Sequence, residues 1–341
     1  MKLYSNEIVF RGHPDKVCDQ ISGAILDECL KQDKHTRAGI ECSVKDDLVY
    51  IFGELTTKAK VNKALIAKRV LREIGYKEEF NVIANVSEQS ADIAQGVDKL
   101  GAGDQGMMFG YACNDTNEFL PLAQVILIKF AKAYDKLVHK HPDVYYPDGK
   151  AQITGIYNEK FKLQEIKDFT ISYQNNENNR FVTDGEIKDI AKKICDEYGI
   201  YVQNFLINPT GKFFIGGPWA DSGLTGRKIV VDAYQSFANV GGGCMNGKDP
   251  TKVDISGAHK ARQLAVRLLK DKRLKWCEVQ LSYAIGLEKP LAIYIDSDKG
   301  NIQPPSEMFE ECKPVRMIKD LDLLEPRYEE WARFGHFAME E

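Results

Sequence analysis

One order of elements recurs three times along the chain, and this repetition limits the fold more than any single motif does. Near the start, apolar residues at helical spacing (Val17, Ile21, Ile25, Leu26, Leu30) predict a helix over Lys16 to Lys31. Strand-like runs follow at Ile40 to Lys45 and Leu48 to Leu55, joined by Asp46-Asp47. A second helix is expected from Lys58 to Ile74, stopped by Gly75. The middle third repeats the order. Pro121 opens a helix reaching His139, strands are expected at Ala151 to Tyr157 and Phe169 to Tyr173, and Thr183-Asp184-Gly185-Glu186 reads as a capped helix start running to Tyr198. The last third has a helix over Ser256 to Asp271, strands at Trp276 to Ile285 and Leu291 to Ile295, and a helical stretch after Pro304-Pro305. The expected fold class is therefore α+β, in three units of roughly 100 residues, each an antiparallel or mixed sheet with helices on one face. The expected boundaries are 1–100, 101–215 and 216–341.

With 341 residues and 28% charged side chains at a net charge of −4, the chain carries no global basic field, so no nucleic-acid partner is expected. Its eight cysteines form no CxxC pair and no zinc-finger spacing, which suggests reduced thiols in a reducing compartment. The N-terminal MKLYSNEIVFRGHPDK has no apolar core of a signal peptide. The most apolar run, Leu120 to Ala133, contains Lys129 and falls short of a membrane span. A cytoplasmic location is expected, with no membrane partner.

Four segments fit neither helix nor strand: Glu7 to Asp15, Ser87 to Gln105, Asn208 to Arg227 and Gly241 to Asp254. Long irregular loops in a compact chain are often functional. In the last, Gly241-Gly242-Gly243 allows close backbone approach to a ligand, and Lys248 and Lys252 supply point charges suited to phosphate. No Walker A loop is present, since Asp249 follows Gly247-Lys248. In the third segment, Gly216-Gly217 and Gly223 lead to Arg227-Lys228, whose guanidinium can grip phosphate oxygens in a fork. Asp221 there suits an ammonium or a ribose, or is simply a turn residue. Gly12-His13-Pro14-Asp15-Lys16 opens the first helix; Asp15 reads either as a helix cap or, beside His13 and Lys16, as part of an anion and Mg²⁺ site. Gly101-Ala102-Gly103-Asp104-Gln105-Gly106 reads as a strap, and Ser87 to Gln105 as a lid over substrate or a plain surface loop.

Together these residues resemble the S-adenosylmethionine synthetase (methionine adenosyltransferase) family. The stretches that carry the resemblance are GHPDK at 12–16, GELTT at 53–57, GAGDQGMMFGYA at 101–112, NPTGKFFIGGP at 208–218, DSGLTGRK at 221–228 and GGGCMNGKDPTKVD at 241–254. They stand in the family's order and span nearly the whole chain. The resemblance implies a threefold pseudo-symmetric α+β subunit, pairing into a dimer with active sites shared across the interface; whether dimers pair into tetramers stays open. The implied reaction takes ATP, L-methionine and water to S-adenosylmethionine, phosphate and pyrophosphate, with two Mg²⁺ per site and K⁺.

The resemblance implies that His13, Lys150, Arg227 and Lys248 are catalytic, acting with Lys228 on the triphosphate. Asp104, Asp148, Lys212, Phe213, Asp221 and Cys244 complete the implied ATP site. Glu54, Gln89, Asp221 and Lys252 are implied on the methionine side. Asp15 and Asp254 are the implied Mg²⁺ ligands and Glu41 the K⁺ ligand. The chain departs from the family pattern at Phe10-Arg11, at Lys212 where arginine is frequent and at Cys244 where alanine is frequent. Its strap before Gly101 is short, and it stops soon after Gly335-His336-Phe337. Two other readings remain at this point: a different ATP-dependent transferase or ligase, and a non-catalytic nucleotide-binding subunit.

Overall fold

The computed structural model describes residues 1–88, 101–176 and 180–338, without the side chains of Arg180 and Phe181. Its strands are β1 (Lys2–Val9), β2 (Arg37–Lys45), β3 (Leu48–Thr56), β4 (Asn81–Ser87), β5 (Gly106–Cys113), β6 (Tyr145–Tyr157), β7 (Leu163–Asn175), β8 (Tyr201–Ile207), β9 (Gly223–Leu224), β10 (Trp276–Tyr283) and β11 (Ala292–Ser297). The helices are α1 (Pro14–Gln32), α2 (Lys63–Ile74), α3 (Leu122–Lys140), α4 (Arg180–Glu197), α5 (Ile229–Asp232), α6 (Val253–Asp271), α7 (Ser306–Glu311), α8 (Pro314–Asp320) and α9 (Tyr328–Phe334). The fold is α+β, with three open sheets ordered β4-β3-β2-β9, β1-β6-β7-β8 and β11-β10-β5.

Each sheet is built on one antiparallel hairpin, β2–β3, β6–β7 or β10–β11. An antiparallel strand from elsewhere in the chain flanks each hairpin: β9 beside β2, β1 beside β6, and β5 beside β10. The first third thus lends a strand to the middle sheet, the middle third to the last, and the last third to the first. In two sheets a helix then returns the chain to a parallel edge strand, β4 after α2 and β8 after α4, as parallel pairing requires.

Helix α1 packs on β2 and against α9, α3 on β6 and β1, and α6 on β5 and β10. Glycine makes two of these contacts possible. A Cβ at Gly23 of α1 would lie 2.8 Å from the Tyr328 carbonyl oxygen, and one at Gly110 of β5 would lie 1.9 Å from the α6 backbone at Ala261. On the opposite face of the β2–β3 pair, Glu41 and Glu54 are exposed and Gly39, Ser43, Tyr50 and Phe52 half-buried among the described residues. Glu41 lies opposite Phe52, Ser43 opposite Tyr50 and Gly39 opposite Glu54. Tyr50 and Phe52 stack there at 5.3 Å.

Several elements differ from the sequence expectation. Helix α2 starts at Lys63, not Lys58, because the Asn62 side chain accepts the Leu65 N–H at 3.1 Å and caps it. Helix α4 begins at Arg180, so Thr183 lies inside it and not at its cap; its hydroxyl meets the Tyr173 hydroxyl at 2.7 Å. Strands β1, β4, β5, β8 and β9 were not foreseen. Among the described residues no helix is long and apolar enough to cross a membrane. All eight cysteines are free, seven of them buried.

Candidate active site

The predicted residues assemble in two groups. The first surrounds the start of α1. A Cβ at Gly12 would lie 2.5 Å from the Pro147 carbonyl carbon, so only glycine lets the chain leaving β1 pass this close to β6. His13 then takes the cap position of α1 with Pro14 behind it, and its Nδ1 accepts the Asp15 N–H at 3.2 Å. The proton of the neutral ring therefore sits on Nε2. Burial, reinforced by the Lys228 charge, pushes the imidazole down to about 4, so in the free protein His13 offers a hydrogen bond and no charge. Asp15 is 1% exposed. It accepts the Leu224 N–H at 2.9 Å, pairs with Lys228 Nζ at 2.5 Å and lies 3.5 Å from Arg227 Nε. Asp148 accepts the Gly217 N–H at 2.7 Å. Burial pushes it up to about 6 against that hydrogen bond, with Asp221 adding to the rise and Lys150 opposing it. The charges of Lys150 and Asp221 also reach His13. His13, Asp15, Asp148, Lys150, Asp221, Arg227 and Lys228 therefore share one neighbourhood.

The second group is the loop 241–254, laid along β2. The Gly247 carbonyl accepts the Ile40 N–H at 2.9 Å, and a Cβ there would lie 2.0 Å from the Ile40 oxygen, at a φ of +72°. Lys248 pairs with Gly39 in a β-bridge, and its ammonium lies 2.5 Å from Asp254 Oδ2. Lys252 is held by the buried Asp249 at 2.6 Å, and Asp249 also accepts the Ala38 N–H at 2.9 Å. Glu54 Oε2 stands beside Gly39, 3.1 Å from where a Cβ would be. Glu41 is exposed and makes no ion pair among the described residues.

The two groups adjoin along β2, where the Cys42 carbonyl accepts the Thr225 N–H at 2.9 Å. Cys244 of the second group touches the first, its Sγ 2.9 Å from the place of a Cβ at Gly226; burial pushes its thiol up to about 12, which makes it a poor nucleophile. The other predicted residues border these groups: a Cβ at Gly106 would lie 4.0 Å from Asp254 Oδ1, and one at Gly216 2.9 Å from the Phe213 ring. Asp104 is exposed, and its carboxylate accepts the Gln105 N–H beside it. Lys212 is exposed, while the Phe213 carbonyl accepts the Asn175 N–H at 3.1 Å at the end of β7. Gln89, with most of the expected lid, lies outside the described residues.

The capping reading of Asp15 and Asp254 does not hold. His13 caps α1, and the Asp254 carboxylate engages Lys248 with no cap bond recorded for α6. The sequence reading placed Lys16 at an anion site, but it is a support beneath the site, and the partners Asp19 and Asp232 were missed. Lys16 is 1% exposed and lies 2.7 Å from Asp232 and 3.4 Å from Asp19. Asp19 accepts the Gly226 N–H at 2.9 Å. The only signal for them was a charged pair at i, i+3 inside an apolar helix pattern. Among the described residues no group of three or more His, Cys, Asp or Glu forms a ready metal cage. A cleft of about 420 Å³ runs past Arg227 and Lys228; a larger one of about 550 Å³, walled by Tyr111, Phe161 and Trp276, contains none of the predicted residues.

Three family models match the chain in sequence order: the N-terminal domain of S-adenosylmethionine synthetase over residues 1–97, the central domain over 99–213 and the C-terminal domain over 215–341. The chain belongs to the S-adenosylmethionine synthetase family. A curated relative, the S-adenosylmethionine synthase of Prochlorococcus marinus (strain MIT 9515), is 39% identical over 388 aligned residues, covering 98% of this chain and 93% of the relative. Membership makes the chain a methionine adenosyltransferase, a transferase that binds ATP and takes methionine as its second substrate. The family's use of metal cofactors is consistent with the carboxylates found here beside cationic loops.

Proposed function

We propose that this enzyme joins its substrates in one in-line displacement. The methionine sulfur bonds to C5′ of ATP, the bond from C5′ to the triphosphate oxygen breaks, and the triphosphate leaves with the electron pair. The product is a sulfonium, and the triphosphate is then hydrolysed to pyrophosphate and phosphate. No enzyme nucleophile is required, so the residues serve to position the reactants and to neutralise charge on the leaving group. The observation that carries this reading is four cations brought in by three segments: Lys150 on β6, Arg227 and Lys228 on one turn, and Lys248 on the loop 241–254. The Lys228 charge acts on His13, whose Nε2–H makes no hydrogen bond among the described residues, and Arg227 stands across Asp15 from it. Glu54, Gln89, Asp221 and Lys252 are read as facing methionine, and Asp104, Lys212, Phe213 and Cys244 as facing the nucleoside or its phosphates.

The carboxylates fit Mg²⁺, which is commonly held by one or two protein oxygens with substrate phosphates filling the rest. Asp15 and Asp254 each present a hard oxygen next to a lysine, and we assign one of two ions to each; exposed Glu41 would offer an oxygen to K⁺. When bound, such ions supply charge neutralisation at the phosphates. The exposed carboxylates Glu41 and Glu54 on the β2–β3 pair, beside both cationic groups, support a site completed by a second subunit packing there. The free, mostly buried thiols suit a cytoplasmic enzyme.

Incubation with ATP, methionine, Mg²⁺ and K⁺ should yield the sulfonium product by mass spectrometry, with one pyrophosphate and one phosphate per turnover. Product retaining any ATP phosphate, or phosphate release independent of methionine, would overturn the reading. Omission of each ion separately tests the metal assignment.

A further inference from the structure

We propose that His336 is a positioning residue that ties the turn bearing Arg227 and Lys228 to the loop bearing Lys248. The proposal rests on the reading of these three cations as the groups that meet the triphosphate. His336 touches both segments. Its backbone N–H donates to the Asp232 carbonyl at 2.9 Å, and its Nε2 lies 3.0 Å from Asn246 Oδ1. That oxygen can only accept, so Nε2 carries the proton.

The near half of the strut reaches the first helix. Asp232 closes the single turn of α5, its N–H bonded to the Lys228 carbonyl at 2.8 Å. Its carboxylate meets Lys16 at 2.7 Å, Lys16 meets Asp19 at 3.4 Å, and Asp19 holds the Gly226 N–H at 2.9 Å. The Arg227–Lys228 pair is thus pinned on both sides. The far half reaches β2. Asn246 N–H rests on Cys244 Sγ at 3.3 Å, and the next residue, Gly247, bonds Ile40. Lys16, Asp19, Asp232, Asn246 and His336 are each 5% exposed or less, so water does not compete for these bonds.

The C-terminal segment is shaped for this docking. Gly335 has a φ of +109°, and a Cβ there would lie 2.9 Å from the Asp232 oxygen. Phe337 stacks on Tyr234 at 5.0 Å and fastens the segment from the other side. The histidine also leaves its buried Nδ1 without a hydrogen-bond partner among the described residues. An apolar side chain of similar shape would avoid that cost, so packing alone does not account for an imidazole here; the bond to Asn246 does.

A displaced cation costs turnover steeply, since a misplacement of about 1 Å can lower a rate by roughly 10²-fold. The test compares His336→Phe, which keeps a ring but has no donor, with His336→Gln, whose amide can still donate to Asn246. Turnover is measured per folded enzyme, together with KM for ATP and melting temperature, in the wild type and in a Lys248→Ala background. His336→Phe should lower kcat roughly 10- to 100-fold, His336→Gln should recover most of it, and His336→Phe should add nothing once Lys248 is gone. Asn246→Leu should reproduce the His336→Phe loss, and the double variant should be no worse than either; this arm stands even if His336→Phe does not fold. Equal losses in the Phe and Gln variants, losses that multiply with Lys248→Ala, or an unchanged kcat would overturn the proposal. Full activity of Lys248→Ala itself would instead sink the assignment of Lys248 to the triphosphate.

Discussion

Lys228 Nζ stands 2.5 Å from Oδ2 of Asp15, a carboxylate with 1% of its surface exposed. The same relationship recurs at Lys248 and Asp254, also at 2.5 Å. In both groups a lysine assigned to phosphate is held by the carboxylate assigned to a metal. The free site is thus internally neutralised, which spares buried Asp15 and half-buried Asp254 the cost of an unpaired charge. Substrate binding then exchanges partners and does not create charge pairs from nothing.

Loss of a single cation should be felt mainly in the displacement. Lys150→Ala, Arg227→Ala and Lys248→Ala are each expected to lower kcat by roughly 10²–10⁴-fold, the scale for removing one group that stabilises a leaving charge. Steady-state assays of sulfonium formation check this, and wild-type turnover in all three would refute the assignment.

Asp15→Asn and Asp254→Asn should keep the neutral hydrogen-bonding role but ligate Mg²⁺ poorly. Both variants should need far more Mg²⁺ for half-maximal activity, while the helices remain intact by circular dichroism, because neither side chain caps its helix. Unchanged Mg²⁺ titration curves would remove these residues from the metal sites.

The glycines at 242 and 243 should behave very differently. A Cβ at Gly243 would lie 2.0 Å from Asp254 Oδ1, whereas one at Gly242 meets nothing within 4 Å. Gly243→Ala should displace Asp254 and reduce activity at least tenfold, by the cost of a misplaced active-site group. The loss in Gly242→Ala should be far smaller. Similar kinetics in the two variants would argue against Asp254 as a placed ligand.

Asp27 gives a pH signature in stability. Its two carboxylate oxygens accept the N–H groups of Tyr328 and Glu329 at 3.0 and 2.9 Å, at the start of α9. Burial nonetheless pushes it up from 3.8 to about 6. A raised carboxylate means that between these values the folded state keeps a proton the unfolded chain has lost. The contribution is therefore full below about pH 4 and falls as pH rises to 6, by on the order of 2–3 kcal/mol. Asp27→Asn cannot titrate, so in urea melts the wild type should lose about that amount of stability relative to the variant between pH 4 and pH 7. A constant difference across that range would show that Asp27 titrates normally.

Much of this was legible in the sequence because helix and hairpin periodicities are local. Helix α1, the β2–β3 hairpin, α3 and α6 all appear close to where their apolar spacing put them. The missed strands were illegible for a physical reason. β4 and β8 lie at sheet edges with mostly polar or half-exposed residues, and β1 and β9 are defined by partners far along the chain. Loop motifs pointed to the residues of both groups. They did not reveal that His13 is neutral, since that follows from burial and from Lys228, which is distant in sequence. Nor did they reveal Asp19, Asp232 or Asp249, whose importance lies in which backbone N–H or ammonium they meet once folded.

The circular lending of strands bears on how the chain can be made. The first hairpin gains its flanking strand only when Gly223 and Leu224 are available, so a nascent chain must carry an unfinished first sheet until two thirds of it has left the ribosome. Closing such distant pairings is entropically slow. The half-built chain would leave the sheet edge beside β2 open to non-native pairing, a period in which chaperone binding would be most useful. For the same reason, cutting the gene at the sequence boundaries should yield fragments that recover structure only when mixed, with no fragment behaving as a module of its own.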